Sequence, residues 1–194
     1  MTALDQALAF LVEADRLKSV DRQTWLTDAS RQENAAEHSW HAALTAMVLA
    51  PFAREPIQVD RAIRMLLLHD LVEIDAGDTF LYDAVASADQ AERECVAADR
   101  LFGLLPADQS RADRALWDEF EAGQTPDARF AKAVDRVNPV MLNLATQGKG
   151  WRAHGIRLEQ VLARNAGIAG PLPAVWDWLR GRLEQAVVAG WLQP

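Results

Sequence analysis

With 194 residues, half of them hydrophobic and a quarter charged, the chain is long enough for one domain with a substantial core. A formal net charge of −8 argues against broad contact with a nucleic acid polymer, and no apolar run nears the roughly 20 residues that span a bilayer. Neither partner is expected. The single cysteine, Cys95, has no internal partner for a disulfide. That suits a reducing, cytoplasmic setting, and Cys95 is expected as a small core residue of a helix. The N-terminal run MTALDQALAFLVEADRLK lacks a basic stretch followed by an apolar one, so no signal peptide is expected.

The elements read as helix after helix. Leu4, Leu8, Leu11 and Val12 recur at helical spacing, which predicts a helix over about residues 3–17, capped by Thr2 with Asp5 three residues on. A second helix is predicted from Asn34 to about Ala50, stopped by Pro51. Asp60 is placed as the cap of a third, which ends near Gly77. Ser87 is placed as the cap of a fourth, running to Phe102 with Gly103 as its stop. Pro106 leads into a fifth, ending at Gly123, and Thr125-Pro126 reads as cap and first residue of a sixth. Pro139 predicts a kink or break in that helix, and Gly148-Lys149-Gly150 predicts a loop. Two last helices are placed near residues 157–166 and 173–191, the second with Val175, Trp176, Leu179, Leu183, Val187 and Trp191 as its apolar stripe. Alternating β-branched runs are nearly absent. The expectation is an all-α bundle, one domain over residues 1–194, with its motif-bearing core at about 20–150.

Inside the run MLLLHDLVEIDAGDT, His69 and Asp70 stand where packing would prefer Leu or Ala. A buried carboxylate is costly unless it is paired or bound to a metal. His38 lies upstream in ENAAEHSW and Asp135 downstream in FAKAVDRVN. Two imidazoles and two carboxylates form a mixed N/O set that suits one divalent ion: Mn, Co, Fe, Ni, Zn or Mg. The lack of cysteine ligands argues against a closed structural zinc site. Glu73 follows His69 by four residues and Asp70 by three, which puts it on the same helical face. Beside a cation, it could move a proton. Asp78, in the AGDT turn, reads equally as a substrate contact or as a turn residue. His41 reads as a plain polar helix residue, a hydrogen-bond partner of the ligands or a further ligand, and His154 as a loop histidine.

In order, the motifs R-x-E-N-x-x-E-H-S (Arg31 to Ser39), L-L-H-D-x-x-E-x-x-x-G-D (Leu67 to Asp78) and K-x-x-D (Lys132 to Asp135) resemble those of the HD-domain 5′-deoxynucleotidase family, part of the HD metal-dependent phosphohydrolases. The resemblance covers roughly residues 4–165. It implies an all-helical HD fold and one divalent ion held by His38, His69, Asp70 and Asp135. The implied reaction is loss of phosphate from a deoxyribonucleoside 5′-monophosphate. Glu73 matches the catalytic acid/base position and Asp78 the substrate-contacting aspartate. Bacterial members carry an adjacent Arg-Trp pair upstream; here Arg22 and Trp25 are separated, as in human-type members. Either Arg22 or Arg31 is expected at the phosphate, and Trp25 either against the base or in the core.

Two other readings share the ligands. One is an HD phosphohydrolase acting on a signalling nucleotide or another phosphate ester. The other is a non-catalytic nucleotide sensor that keeps the metal as a staple, against which the presence of Glu73 and Asp78 speaks. Trp176, Trp178 and Trp191 supply aromatic surface near the C-terminus, so a homodimer is expected.

Overall fold

Thr2 opens the first helix with a reciprocal cap: its hydroxyl accepts from the Asp5 N–H at 3.1 Å, and the Asp5 carboxylate accepts from the Thr2 N–H at 2.8 Å. In the computed structural model, which describes residues 1–78 and 89–194, this helix is α1 (Ala3–Ala14), followed by a 3-10 turn over Asp15–Ser19. Ser87 lies outside the described residues.

An antiparallel ribbon comes next. Strands β1 (Asp21–Trp25) and β2 (Gln32–Asn34) pair Asp21 with Asn34 and Trp25 with Gln32. No strand signal marks these segments, because DRQTW and QEN are short and polar. Among the described residues this ribbon is the one sheet, and the fold class is all-α as expected.

Helix α2 (Ala35–Leu49) starts at Asn34, whose side chain accepts from the Glu37 N–H at 2.9 Å. Helix α3 (Val59–Leu68) begins before the expected cap: Gln58 takes the cap position, and its N–H donates to the Asp127 carboxylate at 2.8 Å. Asp60 therefore sits inside the first turn.

The larger correction concerns the end of that helix. Residues His69–Val72 tighten into a 3-10 turn, and α4 (Glu73–Ala76) follows as a separate short helix. The cause is visible. The Trp117 indole N–H donates to the His69 carbonyl at 3.2 Å, and the Glu73 N–H turns instead to the carbonyls of Asp70 and Leu71. An i→i−3 pattern is the mark of 3-10 geometry. Gly77, at φ +76°, ends α4 in a conformation that side chains disfavour.

Helix α5 (Gln90–Phe102) leads to α6 (Ala107–Ala122), which closes on the left-handed Gly123. Thr125 and Pro126 then start α7 (Pro126–Ala145), as predicted. Helix α7 runs through Pro139 without a break. Buried Val134, Val137 and Val140 hold it in the core, so packing keeps the helix despite the missing N–H. The expected loop at Gly148 is instead the start of α8 (Lys149–His154). A Cβ on Gly148 would overlap the Trp191 carbonyl oxygen. Helix α9 (Leu158–Asn165), a 3-10 turn over Ala166–Ala169 and α10 (Pro173–Val188) complete the chain.

The core has two parts. The larger gathers α2, α3, α6, α7 and the C-terminal helices around Phe130, Met65 and Leu183. The smaller joins Phe10, Phe102, Leu101 and Trp117 beside Leu71 and Val72. The 3-10 turn at His69–Val72 lies where these two meet, with Leu68 packed against both. Cys95, expected in the core, is exposed on α5, with Arg114 Nη2 3.3 Å from its sulfur. Trp176 and Trp191 pack on the large core, and only Trp178 of the C-terminal trio stays exposed, at 51%. No helix among the described residues is long and apolar enough to cross a membrane.

Candidate metal centre

Three elements bring the expected ligands together. His38 comes from the first turns of α2, His69 and Asp70 from the 3-10 turn, and Asp135 from the middle of α7. Donor atoms of His38, His69 and Asp135 all lie within 4.8 Å of one another. His38 Nε2 is 2.8 Å and His69 Nε2 3.5 Å from Asp135 Oδ1. Asp70 flanks the set, with Oδ1 3.0 Å from His69 Nε2 and Oδ2 3.9 Å from His38 Nε2.

His69 is the test of whether a cation fits. Its Nδ1 donates to the Leu66 carbonyl at 2.8 Å, while its buried Nε2 has no hydrogen-bond partner. A backbone acceptor on Nδ1 leaves the Nε2 lone pair aimed at the cluster, which is how a ligating imidazole is oriented. The electrostatics agree. Burial opposes charge on His69, yet Asp70 and Asp135 raise its pKa well above the ordinary value. Burial and Arg22 likewise oppose charge on His38, and Asp135, Glu33 and Asp70 outweigh them. Against the cost of burial, the two imidazoles and Arg22 hold Asp70 down at about 2, and the imidazoles hold Asp135 well below the carboxylate range. Negative charge gathers at one point with two imidazole donors, and the residues fit a divalent ion with mixed N/O ligands.

Arg22 lies beside this cluster. It projects from β1, and Nη1 donates to Asp70 Oδ2 at 2.7 Å. The same nitrogen is 3.6 Å from both Glu73 Oε1 and Asp78 Oδ1, and Nε is 3.8 Å from Glu33 Oε1. Burial works against its charge, but Asp70, Glu73, Asp78 and Asp135 raise its pKa further. Glu73 is 7% exposed. Burial, with Asp70 next, pushes its pKa up to about 9 despite the pull of Arg22. Burial also raises Asp78.

Arg22, His69, Asp70, Glu73, Asp78 and Asp135 line a cleft of about 350 Å³. Its other walls include Gln23, Lys132, Val140, Asn143, Trp151 and Asn165. Arg31 and Trp25 do not line it. Arg31 is exposed and gives both terminal nitrogens to Glu37, at 2.8 and 2.5 Å. The Trp25 ring is covered by Lys149, whose Nζ lies 3.3 Å from the ring centroid. His41 stacks on Trp40 and is not in the donor cluster, and His154 is exposed at the end of α8.

Sequence reasoning missed Glu33. It is 2% exposed, and its Oε1 is 3.5 Å from His38 Nδ1. The residue sat in the R-x-E-N motif, but a glutamate between Gln and Asn in a polar run looks solvated.

Comparison with known proteins places these features. Residues 14–176 match the model of an HD domain. A crystal structure from Magnetospirillum magnetotacticum, described as a predicted metal-dependent phosphohydrolase, superposes with a TM-score of 0.94 at 49% identity, covering 98% of this chain and 96% of that one. The human 5′-deoxynucleotidase HDDC2 is 30% identical over 135 residues, 69% of this chain. That alignment spans 65% of the human protein, so less than two thirds of its length is matched. A Pyrococcus furiosus conserved hypothetical protein shares the fold, with a TM-score of 0.63 at 21% identity over 89% of this chain and 99% of that one. The chain belongs to the HD-domain family.

Proposed function

We propose that the protein hydrolyses nucleoside 5′-monophosphates, deoxyribonucleotides foremost, releasing nucleoside and phosphate with one divalent metal ion. The observation that carries this reading is the convergence of His38, His69, Asp70 and Asp135 beside a cleft whose lining also includes Arg22, Glu73 and Asp78. A staple needs the first four and has no use for the last three. Relatives named 5′-deoxynucleotidase and metal-dependent phosphohydrolase support the same chemistry.

A divalent ion at this site supplies Lewis acidity and lowers the pKa of water. The chain's own groups do the rest. Arg22 has donors left after its bond to Asp70, and a planar guanidinium suits phosphate oxygens. Between the two expected arginines, the cleft position favours Arg22. Glu73, whose pKa burial raises to about 9 in the metal-free chain, can give a proton to the departing 5′ oxygen. A cation nearby would draw this value down toward the working range. Asp78, beside Arg22, is placed to contact the sugar. Val140 and Trp151 give apolar surface, and Asn143 and Asn165 give amides, for the nucleoside.

The test is a panel of deoxy- and ribonucleoside 5′- and 3′-monophosphates, assayed with several divalent metals. Faster release from the 5′ isomers supports the reading. Equal rates on 3′ and 5′ isomers would point to a general phosphatase, and no turnover at all to a sensor.

Two copies are proposed to associate, in the cytoplasm. The C-terminal tryptophans do not carry this, since two of the three are packed. Helix α2 carries it better: Trp40, Leu44, Met47 and Val48 are exposed at positions i, i+4, i+7 and i+8, with Trp40 63% exposed. Light scattering on Trp40→Glu should show a monomer where the unmodified chain shows a dimer.

A further inference from the structure

Three buried polar atoms without hydrogen-bond partners stand around one point: Arg22 Nε, Glu33 Oε1 and His38 Nδ1. Glu33 Oε1 is 3.5 Å from His38 Nδ1 and 3.8 Å from Arg22 Nε. No other carboxylate reaches His38 Nδ1 among the ion pairs of the described residues, and Glu37, the other acid near the start of α2, is occupied at the surface by Arg31. Glu33 lies at the middle of β2, and Arg22 near the start of β1, so the ribbon sets their separation.

The chemistry of this arrangement is specific. A carboxylate so deeply buried is costly without partners, and the two within reach are a ring nitrogen and a guanidinium. An imidazole whose Nδ1–H faces a carboxylate presents Nε2 to a metal and gains basicity. His38 Nε2 does face the donor cluster, 2.8 Å from Asp135 Oδ1. Both gaps exceed the roughly 2.7–2.9 Å of a charge-assisted bond by about 1 Å or less. A carboxylate that merely neutralised Arg22 would have no reason to sit on the far nitrogen of a ligand.

We propose that Glu33 is a positioning residue that joins the two halves of the site: one oxygen orients His38 for the metal and holds Arg22 for the phosphate. The inference rests on the metal-dependent reading above. It predicts that metal affinity and phosphate affinity depend on the same carboxylate.

The experiment titrates Mn²⁺ into the chelator-stripped protein and then inorganic phosphate into the metal-loaded protein. Glu33→Gln keeps the shape and removes the charge, so Mn²⁺ should bind about tenfold more weakly, and Glu33→Ala nearer a hundredfold. Glu33→Gln should also weaken phosphate binding in the Arg22 protein, but not in an Arg22→Gln background, where the link is already cut. A purely structural role would not produce that dependence. Should the variants fail to fold, the unmodified protein gives its own reading. In the Zn²⁺-loaded form, long-range ¹H–¹⁵N spectra should place the His38 proton on Nδ1. A His38 proton on Nε2, or Mn²⁺ affinity unchanged in Glu33→Gln, overturns the proposal. Failure of the unmodified protein to bind any divalent ion is a different result, and it overturns the metal reading itself.

Discussion

Arg22 Nη1 donates to Asp70 Oδ2 at 2.7 Å, so a strand residue and a candidate metal ligand share one charge-assisted hydrogen bond. The bond does two things. It offsets part of the negative charge that Asp70, Glu73 and Asp78 concentrate, and it holds a guanidinium beside the place where a phosphate would arrive.

Arg22→Lys should therefore raise KM for a nucleoside 5′-monophosphate by roughly 10–100-fold, the scale of one lost hydrogen bond between charged groups. Lysine keeps the charge but cannot reach Asp70 and a phosphate with a planar fork. Bound metal, measured by atomic emission, should stay near stoichiometric. An unchanged KM would move the phosphate contact to another cation of the cleft wall, with Arg136 and Arg164 next.

His69→Ala and Asp135→Ala each remove a donor from the cluster and should lose bound metal and activity together. A metal that binds only the folded state, at a hundred times its dissociation constant, stabilises by about 2.7 kcal/mol. For a chain of this length that is roughly 5–10 °C in Tm. The unmodified protein should show this difference between metal-loaded and chelated samples in thermal unfolding, and the two variants should show none. A full metal content in Asp135→Ala would exclude Asp135 as a ligand.

The candidate metal cluster was legible in the sequence because its residue types contradict their surroundings. His69 and Asp70 break an apolar run, and His38 and Asp135 sit among buried alanines and valines. The order of the helices followed from caps and prolines for the same reason: Thr2, Asn34 and Thr125 each do what their type favours. What failed was whatever tertiary contact decides. The 3-10 turn at His69 depends on Trp117, distant in sequence, taking a carbonyl. Helix α7 survives Pro139 because its flanks are buried. The ribbon and Glu33 escaped notice because polar residues buried by their partners look, in one dimension, like polar residues in water. Arg31 shows the converse: it belongs to the motif, yet its partner is Glu37 and not the cleft.

Glu73 gives the metal-free protein a pH dependence of known sign. Its pKa rises from the ordinary 4.5 to about 9 in the folded chain, mainly through burial. The folded state then keeps a proton that the unfolded state releases. This contribution to stability is full below about pH 4.5 and declines as pH rises toward about 9. Glu73→Gln is neutral throughout and loses the decline. In chelator, the Tm of the unmodified protein relative to Glu73→Gln should fall steadily between about pH 5 and 9. A constant difference across that range would mean that Glu73 titrates as an ordinary carboxyl.

The same substitution separates an enzyme from a metal-stapled scaffold. Glu73 opens α4, directly after the turn that carries His69 and Asp70, and is buried beside Arg22 with Oε1 3.6 Å from Nη1. Its Oε2 is buried without a hydrogen-bond partner. The donor atoms of His38, His69 and Asp135 come together without Glu73. Glutamine keeps the size and most of the hydrogen bonding but cannot give or take a proton. Glu73→Gln should fold, bind metal near stoichiometrically and keep KM within a few-fold. Loss of a general acid or base typically costs about 10²–10⁴ in rate, so kcat should fall by that much. The split between kcat and KM is the decisive readout, because a change in packing would move both. If metal is lost with the rate, Glu73 is a ligand and the coordination shell has five protein groups. If neither changes, the proton passes through another carboxyl, and Asp78, held up by burial and 3.6 Å from Arg22, is the one placed to carry it.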